Sequence, residues 1–126
     1  MNVRFDIDKD KQVITCTIGG PLNRDILMNL LTQLKIIVSN NQGCSLLMDL
    51  RGTSLKKNQM DMHRVIDVVS AIVNMKSQLG DKVAHVVPVD DDRVVHAEDI
   101  GSVAAIRGIV YKVFTDLVKA QTWLTE

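Results

Sequence analysis

Charged side chains follow a short apolar run in the middle of the chain. Asp49 and Arg51 stand at the end of the run 45–50, and Lys56 and Lys57 come shortly afterwards. If this run is a strand of an open parallel sheet, its carboxyl end is the place where ligands of such sheets bind. The three cations also precede a predicted helix N-terminus, which favours an anion. A solvated loop in which Asp49 satisfies turn amides is the simpler interpretation, because loops are normally polar.

Other arrangements that would indicate catalysis or metal binding match their templates poorly. Asp6, Asp8 and Asp10 imitate the start of a calcium loop, but its sixth position is Lys11 and its twelfth is Thr17. The three histidines have no zinc-ligand spacing with each other or with a cysteine. The chain also has no Gly-x-Ser-x-Gly elbow and no glycine-rich phosphate loop. We therefore expect a non-enzymatic protein without a metal or cofactor.

A wide apolar stripe runs along the helix predicted over residues 58–79. At 100° per residue its apolar side chains cover about half of the circumference, which is more than contact with one sheet requires. The surplus edge packs on a neighbouring helix in the simpler interpretation, and faces a partner, a lipid, an apolar ligand or a second copy of the chain in the alternative. Methionines favour the alternative, because flexible thioethers accept varied apolar partners. The candidate ligand-contacting residues of this segment are Met60, Met62, Val68, Met75 and Leu79.

Length, composition and charge restrict the class of protein. The chain has 126 residues, of which 46% are apolar and only 3% aromatic, and its 15 basic and 15 acidic residues give no net charge. It is too apolar to be disordered and long enough to bury a core. The lack of net positive charge argues against a nucleic-acid partner. With no signal-peptide-like start, two separated cysteines and no membrane-spanning run, we expect a cytoplasmic protein that at most touches a membrane surface.

Hydrophobic periodicity predicts nine elements in the order β-β-α-β-α-β-α-β-α, within one domain over residues 1–126. The predicted strands are 3–7, 13–18, 45–50, 82–87 and 109–113, and the predicted helices are 26–38, 58–79, 90–107 and 115–124. Alternating strands and helices indicate right-handed crossovers and a largely parallel sheet. The short turn after the first strand requires an antiparallel pairing. The sequence therefore predicts an α/β fold with a five-stranded mixed sheet, one antiparallel edge strand and about four helices. His85, within the fourth strand, is expected to be a buried core histidine.

The C-terminal stretch carries a family resemblance. Residues 114–124 show the spacing Phe-x-Asp-x-x-x-Ala-x-x-Trp-Leu, preceded by Gly108 and Ile109, and Asp49-Leu50-Arg51-Gly52 follows the third strand. In these motifs, and over essentially its whole length, the chain resembles the SpoIIAA-like proteins, relatives of the STAS domain. The resemblance implies a stacked series of βα units.

The same resemblance implies two functions. Antagonists of anti-sigma factors in the STAS family carry a phosphorylatable serine at the start of the second helix, where this chain has Asn58-Gln59-Met60-Asp61-Met62 and no hydroxyl. The phosphorylation switch is therefore not carried over. The fold group is also similar to the lipid-binding CRAL-TRIO domains. Our leading hypothesis is a module that binds a small apolar or amphipathic molecule between the third strand's carboxyl end and helices two and three, with Arg51, Lys56 and Lys57 at the entrance. The alternative is an antagonist-type protein-interaction module that binds through helix two.

Overall fold

The computed structural model describes residues 2–126, which form five strands, four α-helices and one turn of 3-10 helix. The strands are β1 (Asn2–Asp8), β2 (Val13–Pro21), β3 (Ser45–Ser54), β4 (Lys82–Val86) and β5 (Val110–Phe114). The helices are α1 (Arg24–Ser39), α2 (Met62–Met75), α3 (Asp91–Ile106) and α4 (Leu117–Leu124), and the 3-10 turn (Lys57–Gln59) precedes α2. The predicted element order is confirmed.

The sheet has its strands in chain order, β1-β2-β3-β4-β5. The hairpin pairs β1 antiparallel to β2, and β2 to β5 are parallel to one another. In the hairpin turn Gln12 has a φ of 55°, and the Asp8 carboxylate accepts a hydrogen bond from the Lys11 backbone N–H at 3.0 Å. The predicted mixed sheet with one antiparallel edge strand is therefore confirmed.

The two faces of the sheet carry different helices. Three β-α-β crossovers of one handedness between strands in chain order put α1, α2 and α3 on the same face. Side chains alternate along a strand, so Leu46, Met48 and Leu50 of β3 join the main core with α1, α2 and α3. Leu47 points the other way, into a smaller core beneath α4 that also contains Ala84 and Ala120.

Strand β3 continues beyond the predicted end at Leu50. After a register shift between Thr17 and Gly19, β2 extends to Pro21 and pairs with residues up to Ser54 of β3. A Cβ on Gly52 would lie 3.6 Å from the Gly19 Cα, an ordinary contact, so this pairing does not require glycine at that position. Residues 51–54, predicted as loop, are therefore strand, and 19–21 belong to β2.

Helix α2 is shorter than the predicted helix over 58–79. It begins after Asp61, whose carboxylate accepts a hydrogen bond from the Arg64 N–H at 3.0 Å. It ends at Met75, because the chain must then pass against the start of β3, where the Gly80 N–H donates to the Cys44 carbonyl at 2.7 Å. At the other end of the chain, the helix predicted over 115–124 begins at Leu117, because the Asp116 carboxylate accepts from the Val118 and Lys119 N–H groups and caps α4.

Candidate functional site

A partly enclosed cavity of about 50 Å³ lies at the carboxyl edge of β3 and β4, beneath the first turns of α1, α2 and α3. We call it the carboxyl-edge cavity. Most of its wall is aliphatic, from Leu22, Leu27, Leu50, Val68, Val87 and Ile100. Four groups that carry or can take up positive charge also line it: Arg64, His85, Arg93 and His96. Clefts with apolar walls and a few convergent polar groups are typical of small-molecule sites.

Arg93, in the first turn of α3, is a buried cation that has no carboxylate partner among residues 2–126. Only 6% of the residue is exposed. Its Nη1 donates to the Thr53 carbonyl at 3.1 Å and its Nη2 to the Thr53 Oγ1 at 2.7 Å, while the Thr53 hydroxyl donates onward to the Leu50 carbonyl. Burial lowers the pKa of Arg93, and the charge of Asp90 opposes that effect. Within residues 2–126 no carboxylate oxygen lies within 4 Å of this guanidinium, so neutral oxygens hold the charge.

Arg64, in the first turn of α2, is the second cation at the cavity. Its Nη2 donates to the Gln59 Oε1 at 2.7 Å. Its Nη1 lies 4.0 Å from the Asp67 Oδ2, an oxygen that is closer, at 3.4 Å, to Arg24. The Arg64 Nε is buried and has no hydrogen-bond partner in the described part of the chain. One N–H of this guanidinium is therefore unsatisfied within residues 2–126.

His85 and Tyr111 form a buried neutral pair behind the cavity. Burial lowers the pKa of His85 to about 3, reinforced by the charges of Arg93 and His96. Burial also raises the pKa of Tyr111 well above its usual value. Both side chains are therefore neutral near pH 7, and the Tyr111 hydroxyl and the His85 Nδ1 share a hydrogen bond. The expected buried histidine is confirmed, and it also lines the cavity.

Arg51, predicted at the cavity entrance, lies on the other face of the sheet. It stands one position after Leu50, which lines the cavity, so strand alternation turns it towards the α4 side. There its Nε and Nη2 donate to the two Asp49 carboxylate oxygens, each at 2.9 Å. Burial acts to raise the pKa of Asp49, but the hydrogen bonds and charge of Arg51 outweigh it and hold that pKa below its ordinary value. Arg51 therefore forms an ion pair away from the cavity.

The two predicted lysines are also outside the cavity lining. Lys56 is exposed at the start of the 3-10 turn. Lys57 is exposed as well, and its Nζ lies 3.6 Å from the Asp92 Oδ2 at the start of α3. The pair connects the loop after β3 with α3, but exposed pairs of this kind contribute little stability.

The predicted apolar residues separate into buried and exposed members. Val68 lines the cavity. Met75 is 1% exposed within the main core, and Leu79 packs against that core, so this edge of the stripe contacts the protein's own interior. Met60 is half-buried, and Met62 is 56% exposed at the start of α2.

Both arginines of the cavity lie outside the predicted site residues, although the sequence carries a signal for them. Residues 61–64 and 90–93 share the spacing Asp-x-x-Arg, in which the aspartate caps a helix and the arginine follows in the first turn. A cation at a helix N-terminus is unfavourable, because that end of the helix already carries partial positive charge. The repeated placement therefore marks these two arginines for attention at the sequence level.

Three further observations concern metal binding, redox chemistry and membranes. In residues 2–126 no three His, Cys, Asp or Glu side chains are grouped so as to hold a metal ion. Cys16 and Cys44 are both free and buried, and burial raises the pKa of Cys16 to about 12. Among the helices of the described residues, none combines the length and apolar character needed to cross a membrane.

Comparison with known proteins gives a structural likeness without a sequence match. No protein-family model and no curated protein sequence matches the chain. An uncharacterised protein of the DUF3478 family with a SpoIIAA-like fold, from Shewanella loihica PV-4, matches with a TM-score of 0.63 and 13% identity over 98% of this chain and 92% of that one. The fold is SpoIIAA-like. An anti-sigma factor antagonist from Mycobacterium paratuberculosis matches this SpoIIAA-like domain with a TM-score of 0.62 and 11% identity over 99% of this chain and 96% of that one.

Proposed function

We propose that this SpoIIAA-like domain is a non-catalytic binding module that holds a small, mostly apolar molecule in the carboxyl-edge cavity. The cavity itself carries the proposal. It lies outside the carboxyl ends of parallel strands, where open α/β sheets bind their ligands, and aliphatic side chains of three helices and two strand ends line it.

The cavity volume limits the ligand. A space of about 50 Å³ holds roughly three to five water-sized groups, which matches a short organic molecule. A lipid chain of ordinary length would need α3 to move away from α2. We therefore favour a small amphipathic ligand over a whole lipid, and over a role at the membrane surface.

Filling the cavity tests the proposal. Ala97 lines it from α3 and is buried, so Ala97→Leu places additional methyl groups in the space a ligand would use. Ala105→Leu is the matched control, because the same substitution on the same helix lies at an exposed position. Thermal-shift screening of small organic molecules against the wild type should identify binders that Ala97→Leu loses and Ala105→Leu keeps. Binders that tolerate Ala97→Leu would place the site elsewhere.

A second candidate function is binding of a regulatory protein through α2. Met62 and Ile66 stand one turn apart on this helix and are 56% and 51% exposed, which gives an apolar pair facing solvent. An apolar stripe at this spacing is the usual form in which a helix docks into a partner's groove. The structural likeness to an anti-sigma factor antagonist supports a protein partner of regulatory type.

The two candidates require different substitutions. Aspartate at Val68 or Met75 would disrupt the core, because both residues are buried. Met62→Asp with Ile66→Asp changes only exposed positions and should abolish co-purification of a specific partner while leaving the fold intact. Ala97→Leu should leave that partner bound. Size-exclusion chromatography of the same variants tests self-association through α2, and sedimentation with anionic vesicles tests contact with a membrane surface.

A further inference from the structure

We propose that the ligand of the carboxyl-edge cavity is a small organic acid, whose carboxylate is bound by Arg64 and Arg93 and whose apolar body contacts the aliphatic wall. This inference rests on the proposed binding function and adds the charge and the chemical class of the ligand.

The charge distribution around the cavity supports an anion. Two guanidinium groups line a mostly aliphatic space, and a buried charge is costly unless it is paired. The carboxylates of Asp61 and Asp90, which stand closest in sequence, cap α2 and α3, where each accepts the backbone N–H of the arginine three residues later at 3.0 Å. Neither forms an ion pair with the arginine's side chain within residues 2–126.

The remaining charged and titratable groups do not neutralise the cations. Asp67 lies at 4.0 Å from Arg64 and is shared with Arg24. Asp99 acts on His96, and burial lowers the pKa of His96, which disfavours its positive form. His85 is neutral. The charge of Asp90 acts on Arg93 from the start of α3, but the lining of the cavity contains two guanidinium groups and, among the described residues, no carboxylate. A ligand carboxylate would supply one.

Unused hydrogen-bond donors support the same conclusion. The Arg64 Nε is buried without a partner in residues 2–126, and the hydrogen bonds of Arg93 to Thr53 use two of its five N–H groups. Arginine presents a planar fork of donors that matches the two oxygens of a carboxylate, and the positive ends of α2 and α3 act in the same direction.

The aliphatic wall distinguishes an organic acid from an inorganic anion. Leu27, Leu55 and Ile100 contribute only hydrocarbon to the lining, and an inorganic phosphate would leave this surface without an apolar contact. A short carboxylic acid places its charged group on the arginines and its hydrocarbon against these residues.

The test uses pairs of molecules that differ only in charge. Isothermal titration is performed on the full chain with acetate, butyrate, isovalerate and benzoate, with the corresponding amides, and with inorganic phosphate and oleate. We expect saturable binding of at least one short carboxylate at one site and at least tenfold weaker binding of its amide. Equal affinity for acid and amide, with both lost in Ala97→Leu, would retain the cavity as a binding site and overturn its assignment to an acid.

Variants then locate the charge contact. Arg93→Gln and Arg64→Gln should each weaken carboxylate binding roughly tenfold to a hundredfold, because each removes a charge-assisted hydrogen bond. Arg51→Gln is the matched control on the opposite face and should bind as the wild type does. If Arg93→Gln does not fold, Arg64→Gln alone decides, because Arg64 is less buried than Arg93. Tighter binding of phosphate than of every carboxylate, or carboxylate binding that survives both substitutions, would contradict the proposal, as would a lack of binding by all the acids.

Discussion

Acidification should destabilise the protein well above the pH at which its carboxylates titrate, through His85. The folded-state pKa of this residue is about 3, whereas an unfolded chain has a histidine pKa of about 6.5. Protons therefore bind the unfolded state preferentially below pH 6.5, so the stability that neutral His85 contributes is complete above that pH and is lost as the pH falls. The loss is about 1.4 kcal/mol per pH unit, or about 2 kcal/mol at pH 5.

Two other groups with shifted pKa values do not oppose the loss of stability between pH 7 and pH 5. Burial also lowers the pKa of His96, against the opposing charge of Asp99, which adds to the loss. The lowered pKa of Asp49 affects stability only below its ordinary value near 3.8. The range from pH 7 to pH 5 therefore reports mainly on His85 and, in the same direction, on the partly buried His96.

Urea denaturation followed by circular dichroism at pH 7 and pH 5 measures the effect. His85→Asn keeps a side-chain oxygen that can accept from the Tyr111 hydroxyl but removes the titrating ring. This variant should lose much less stability between the two pH values than the wild type, and the exposed His63→Asn should behave as the wild type does. An unchanged free energy of wild-type unfolding, or the same loss in His85→Asn, would refute the assignment of a buried neutral imidazole.

Three further expectations concern local structure. Gly80→Ala should lower the free energy of unfolding by about 1–3 kcal/mol, because its Cβ would lie 2.7 Å from the Gly43 carbonyl oxygen. Gly19→Ala, whose Cβ would have its nearest contact at 3.9 Å, should lower that free energy less in the same denaturation assay. Asp116→Ala should cost about 1 kcal/mol by removing the α4 cap, and a thermal melt unchanged by it would contradict that role. Cys16 should react with a thiol reagent at pH 8 only as fast as the protein unfolds locally, because its pKa is about 12 and its side chain is buried. Reaction at the rate of a free thiol would show that Cys16 of β2 is exposed in the native state.

The sequence by itself determined the element order and the main features of the topology. Strand alternation, helical periodicity and a turn too short for a parallel connection depend on residues close together in the chain, and these local signals led to the correct sheet. The limits of α3 could also be predicted from local residues. Asp90 caps its start, and Gly108, with a φ of 80°, follows its end. The motifs with the SpoIIAA-like spacing led to the same fold as the structural comparison.

Only the tertiary structure decided which charged residues meet at the cavity. Arg51 appeared well placed at a strand end, but β3 continues past it, and alternation along the strand puts it on the α4 face. Arg64 and Arg93 are 29 positions apart in the sequence, and they meet because two parallel crossovers bring the first turns of α2 and α3 to the same edge of the sheet. Local patterns report the face of one element, whereas the partner of a buried charge depends on how separate elements pack.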